Sequence, residues 1–117
     1  MTRWKIEFYK SPNGKSAVYD WFLAQEAKVK ARFAQIFDLL QDKGISVGMP
    51  YVRPIVNTKL YEIRVEQSKN IYRIFYFAYT GRRFILLHGF QKKTQKTLKK
   101  EIEIAEKRRK AFMAQEN

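Results

Sequence analysis

Three apolar runs stand almost end to end: "KLYEIRVE", "NIYRIFYFAY" and "RRFILLHGF", separated only by "QSK" and "TG". Connections this short leave no room for a crossover, so adjacent runs must fold back on one another as antiparallel hairpins. Everything else in the chain has to pack against that sheet. In "LYEIRV" the alternation puts Tyr61, Ile63 and Val65 on one face and Glu62 and Arg64 on the other. In "NIYRIFYF" it sets Arg73, Phe75 and Phe77 against Tyr72 and Ile74.

Upstream, "RWKIEFY" alternates as a further strand, with Trp4, Ile6 and Phe8 on one side, and "SPNG" ends it. From Ser16, an N-cap residue type, the spacing of Val18, Trp21 and Phe22 predicts a short helix. Val29, Phe33, Ile36, Phe37 and Leu40 predict a second helix ending at Gly44. Residues 45–58 hold two of the three prolines and read as a long connection, with an edge strand at Tyr51 to Ile55. Finally, Leu98, Ile102, Ala105 and Phe112 share one face of a last, basic helix, in which Glu103 and Glu106 stand four residues before Lys107 and Lys110. The order β-α-α-β-β-β-α predicts an α+β domain over residues 1–117, a small antiparallel sheet with an N-terminal helical hairpin and a C-terminal helix, all covering one face. At 117 residues the chain can bury one modest core.

Charge narrows the partners. The formal net charge is +13, and residues 82–110 alone carry eleven basic against three acidic side chains. Such a patch points to a polyanion, nucleic acid first, then an acidic protein or an anionic membrane surface. No apolar run approaches the roughly 20 residues of a spanning helix, and "MTRWKIEFYK" lacks the apolar core of a secretory signal. With no cysteine and one histidine, disulfides, thiolate chemistry and multi-histidine metal centres are excluded, and a cytoplasmic location is expected. The glycines form no phosphate-binding loop or dinucleotide fingerprint, and there is no nucleophile elbow.

Two readings of the strand cations stand side by side. In one, Arg64 and Arg73 share an open sheet face with Phe75 and Phe77, suited to phosphate clamping and base stacking. In the other, Glu62 pairs with Arg64 or Arg73 as a surface ion-pair ladder and the phenylalanines are ordinary packing. His88, grouped by alternation with Leu86 and Phe90, is either a proton-transfer group or a histidine satisfied by a backbone partner. Lys92, Lys93, Lys96, Lys99 and Lys100 follow it as a solvated run or as the margin of a site.

Taken together, "LYEIRV", "YRIFYF" and "ILLHGFQKKTQKT" leading into "EIEIAEKR" resemble the phage-derived HigB-like branch of the RelE/ParE toxin superfamily, closely over residues 56–110. Leu98 departs from the pattern, since many relatives have a proline there. The resemblance implies a RelE-like fold and the toxin of a type II toxin-antitoxin system: an endoribonuclease without metal or cofactor that cleaves mRNA, in several relatives on the ribosome. Its partners would be a cognate helix-turn-helix antitoxin and, only through that antitoxin, operator DNA. By resemblance Arg64, Arg73, Lys92 and Lys93 are the phosphate-gripping cations and His88 a proton-transfer candidate, with Glu62 orienting an arginine. Lys59, Phe75, Phe90, Lys96 and Lys99 are the further RNA contacts expected. Two alternatives share the features: a non-catalytic gyrase inhibitor of the ParE type, and a plain nucleic-acid-binding module.

Overall fold

The structure, a computed structural model, describes residues 3–92 and 98–116. Strands β1 (Lys5–Phe8), β2 (Val52–Pro54), β3 (Tyr61–Gln67), β4 (Asn70–Tyr79) and β5 (Arg83–Lys92) form one sheet in the order β1-β5-β4-β3-β2. The three long runs make the expected antiparallel hairpins, and the edge strand is Val52–Pro54. The first strand joins parallel to β5, with Ile6 opposite Phe84 and Phe8 opposite Leu86, which makes the sheet mixed.

Helix α1 (Ala17–Leu23) starts where the sequence places it: the Ser16 hydroxyl accepts the Tyr19 N–H at 3.2 Å. Helix α2 (Ala27–Lys43) stops at Gly44, which takes the left-handed φ of 61°. The Trp4 indole lies against Gly44, where any Cβ would meet the ring. Val18, Val29, Phe33, Ile36 and Leu40 pack on Val52, Ile63, Val65, Tyr72, Ile74, Tyr76, Phe84 and Leu86 to form the first core. Losing a ring such as that of fully buried Phe33 would cost about 3–5 kcal/mol.

One expectation is overturned here. Helix α3 (Lys99–Glu116) does not join the hairpin but lies on the opposite face of the sheet. There Ala105 and Phe112 bury against Phe75, Phe77, Ile85, Leu87 and Phe90, with Leu98 and Ile102 packed alongside. Covered on both sides, Tyr72 to Phe77 are buried without interruption. Glu106 pairs with Arg109 at 3.2 Å rather than with Lys110. At the far end of the sheet Arg83 donates to Glu7 at 2.5 and 2.9 Å and to Glu116 at 3.0 Å, tying β1, β5 and the end of α3 together.

Candidate nucleic-acid site

Register decides which cations meet. Arg64 on β3 stands opposite Arg73 on β4, and Arg73 opposite Phe90 on β5. One step along, Glu62, Phe75 and His88 form the adjacent row; a step the other way, Ile71 stands opposite Lys92. By alternation from Phe75, Phe77 and Phe90 these side chains share the α3 side of the sheet, which sets Arg64 beside Arg73 and puts His88 and Lys92 on the rows to either side.

The setting of Arg73 differs from expectation. The residue is 6% exposed and its Nη1 donates to Glu62 Oε2 at 3.2 Å, Glu62 being 4% exposed. The pairing is thus the ion pair of the second reading, but inside the protein rather than on its surface, because α3 closes the face that was expected to be open. Arg73 Nε and Glu62 Oε1 are both buried and lack a hydrogen-bond partner among the described residues. Burial pushes the Arg73 guanidinium below its ordinary value, Glu62 holds it up, and the like charges of Arg64 and Arg53 push it down. It remains charged, since arginine does not deprotonate in proteins. Glu62 balances most of that charge, so what Arg73 keeps for a further ligand is the unbonded Nε–H donor.

Arg64 is the accessible neighbour. Its side chain is 27% exposed and its Nη2 bonds Glu66 Oε1 at 2.7 Å, a pair open to solvent on the glutamate side. Lys92, half-buried, ends β5.

His88 is more tightly held than the sequence suggested. A bulge in β5 between the partners of Phe75 and Tyr76 leaves Leu87 unopposed, so Leu87 and His88 both turn toward α3 while Leu86 belongs to the other core. Alternation had grouped Leu86 with His88; the bulge breaks that period. The freed Leu87 carbonyl accepts from Arg108 Nη1 at 2.9 Å, and the same nitrogen lies 3.4 Å from His88 Nδ1. His88 Nε2 is 2.7 Å from Glu101 Oε1, and the ring stacks on Phe90. Burial lowers the His88 pKa, Glu101 raises it and Arg108 lowers it, with burial dominant. This is the pattern of a neutral ring that donates from Nε2 to Glu101 and accepts at Nδ1 from Arg108. The partner of the histidine is thus a side chain of α3, not backbone.

Phe75 is corrected as a base-stacking platform. It is fully buried, edge-on to Phe90 with ring centroids 5.1 Å apart, because α3 seals that part of the face. Phe90 retains 9% exposure, with His88 on its face. Lys59 is exposed in the turn before β3 and lies beyond Tyr61, away from the arginine row. Lys99 is exposed in the first turn of α3. Lys93 and Lys96 lie outside the described residues.

Sequence reasoning missed Arg53, Glu101 and Arg108. Glu101 and Arg108 sit seven residues apart on one helix stripe, a signal that points at β5 only once the helix is known to cross it. A cleft of about 890 Å³ at the β2 rim is lined by Arg32, Arg53 and Arg64 but equally by Asp38, Asp42 and Glu66, so it offers no net positive field. Among the described residues no group of three or more histidines and carboxylates is arranged to hold a metal ion, and no helix is long and apolar enough to cross a membrane.

No curated protein matches the chain. In three dimensions it is similar to a free-state variant of the E. coli toxin RelE with two arginine-to-alanine substitutions, at 11% identity and a TM-score of 0.62, over 92% of this chain and 98% of that one. That likeness establishes a shared fold. Residues 20–110, from α1 through most of α3, match the family described as "Phage derived protein Gp49-like (DUF891)". The chain therefore belongs to the phage-derived Gp49-like family, a RelE/HigB-type toxin family.

Proposed function

We propose that this protein is the toxin of a type II toxin-antitoxin pair and acts as a metal-independent endoribonuclease on mRNA, engaging it on the ribosome in the cytoplasm. The observation that carries the reading is the adjacency of Arg64 and Arg73 across β3 and β4, with Lys92 ending the next strand. RNA brings its own nucleophile. The 2′-hydroxyl attacks the adjacent phosphorus, the P–O5′ bond breaks, a 2′,3′-cyclic phosphate forms, and the 5′-oxygen leaves with a proton.

The protein has to align that attack and hold the extra negative charge of the transition state. Arg73, fixed by Glu62, offers a charge that needs no reorganisation, and Arg64 and Lys92 supply flanking donors. Lys93 extends the basic end of β5 in sequence. His88 is bonded at both ring nitrogens, so proton transfer through it requires Glu101 or Arg108 to give way. The partner that neutralises the toxin is a helix-turn-helix antitoxin, through which alone the pair touches operator DNA.

The test is induced expression with mapping of mRNA ends, together with purified protein incubated with free mRNA in EDTA and, in a separate arm, with mRNA on ribosomes in the magnesium that holds them together. Cleavage leaving cyclic or 3′-phosphate ends is expected. Intact mRNA with DNA damage would instead identify a gyrase inhibitor, and intact mRNA with nucleic-acid binding alone a plain binding module.

A further inference from the structure

Arg53 enters the site from the short edge strand that the sequence places within the long 45–58 connection. Strand β2 pairs antiparallel with β3 and sets Arg53 directly opposite Glu62. Its neighbour Val52 is buried in the α1–α2 core, so Arg53 points to the α3 side, the side of Arg64 and Arg73. The carboxylate it faces is already committed to Arg73 at 3.2 Å. No carboxylate among the described residues forms an ion pair with Arg53, which is exposed. Arg64, by contrast, is held by Glu66, and Arg32 donates to the Glu66 carbonyl at 3.1 Å. Arg53 is close enough to Arg73 for their like charges to repel.

The ladder then defines a line. Arg53 is one strand over and one same-face step along from Arg64; Lys92 stands in the same relation to Arg73. Diagonal neighbours of this kind lie roughly 7–8 Å apart. Four cations therefore cross four strands obliquely, with two carboxylates on those strands, Glu62 and Glu66, each already bonded to an arginine, and with Asp38 and Asp42 of α2 balancing the cleft only at the β2 end of the line. Single-stranded nucleic acid is the polyanion whose charges run in such a line, and arginine binds phosphate with forked donors.

We propose that Arg53 is a substrate-binding residue: it holds a backbone phosphate of single-stranded RNA next to the phosphate gripped by Arg64 and Arg73, so that the strand runs obliquely from β2 to Lys92. This rests on the ribonuclease reading for its substrate, but binding can be measured without cleavage. The probe is a 2′-O-methyl RNA oligonucleotide, which lacks the nucleophile, offered to the full chain both free and as the message of a programmed ribosome.

Replacing exposed Arg53 by alanine should weaken binding roughly tenfold at low salt and lower the slope of log K against log salt by about 0.7, one phosphate contact on a single strand. Arg53→Lys should keep most of that slope. With cleavable RNA, Arg53→Ala should raise KM far more than it lowers kcat, as expected of a contact equal in ground and transition states. Unchanged affinity and slope, or a fall in kcat at constant KM, overturns the assignment. A parent protein that binds the probe but never cleaves RNA overturns the ribonuclease reading while leaving the Arg53 contact standing. Absence of binding in both formats overturns both.

Discussion

Glu62 and Arg73 face each other 3.2 Å apart on neighbouring strands with only 5% and 7% of their side chains exposed. A charged pair this deep is held at a desolvation cost, and each partner keeps the other from being a lone buried ion. That changes what substitution at Arg73 can report. On an open face, Arg73→Ala would leave the fold alone and remove activity. In the closed site it strands the Glu62 carboxylate, and a loss of about 3–5 kcal/mol is expected. Urea unfolding of Arg73→Ala checks this. The double variant Glu62→Met with Arg73→Met fills the space without a charge and should recover most of that stability, yet remain unable to cleave RNA. Recovery of activity along with stability would show that Arg73 is structural only.

His88 gives a pH dependence with a definite sign. Its folded pKa lies below the ordinary value because burial disfavours the imidazolium, even with Glu101 beside it. Between the folded value and about 6.5 the unfolded chain binds the extra proton and the folded one does not. The contribution is therefore fully present above about pH 6.5 and is lost as pH falls through the folded value. Glu7, whose pKa is lowered by its bond to Arg83, adds acid sensitivity of its own, so a comparison is needed. Urea midpoints measured from pH 7.5 to 3.5 should fall in the parent, and His88→Gln should flatten the upper part of that fall without altering the part below about pH 4.5 that belongs to Glu7. Equal pH slopes in the two proteins would refute the assignment.

What was legible in the sequence follows from what is local. Ser16, Gly44 and the two-residue period of β3 and β4 each act within a few positions, and the structure has them as read. The side of the sheet taken by α3 is not local. Yet "YRIFYF" carried a hint: aromatic residues on both faces of one strand mean that neither face is left to water, so Arg73 had to be enclosed. The bulge at Leu87 was hidden because one extra residue inside an unbroken apolar run, "FILLHGF", leaves no mark in the pattern. The edge strand that carries Arg53 was expected between Tyr51 and Ile55, but what Arg53 faces was not, because its register against Glu62 is set only by pairing with β3. Which side chains share this face could thus be read, but not its closure.

Gly89 shows how tightly the two faces are coupled to the site. It lies one residue from His88, on the side of α1, and a Cβ there would fall inside the Trp21 ring. Gly89→Ala forces the indole or the strand to move, with an expected cost of about 1–3 kcal/mol. The change should appear in Trp21 fluorescence and in thermal melting. Trp21→Leu in the same chain should relieve part of the loss, because the ring is what the new methyl meets. A Gly89→Ala protein as stable as the parent would contradict the packing.

Arg64 offers the cleaner functional test. Its side chain is 27% exposed and its partner Glu66 63%, and a solvent-open pair of this kind contributes little to stability. Arg64→Ala should therefore leave the unfolding free energy, read from urea titration, within about 0.5 kcal/mol of the parent. If Arg64 meets charge that develops at the phosphate, kcat for mRNA cleavage should fall by about two orders of magnitude. Arg64→Lys should restore only part, since an ammonium keeps the charge but not the forked donors. Glu66→Gln serves as the control: it releases Arg64 from its pair while keeping the neighbourhood intact, and cleavage should persist. Full cleavage by Arg64→Ala would remove it from the site and leave the buried Arg73 and Lys92 to carry the phosphate.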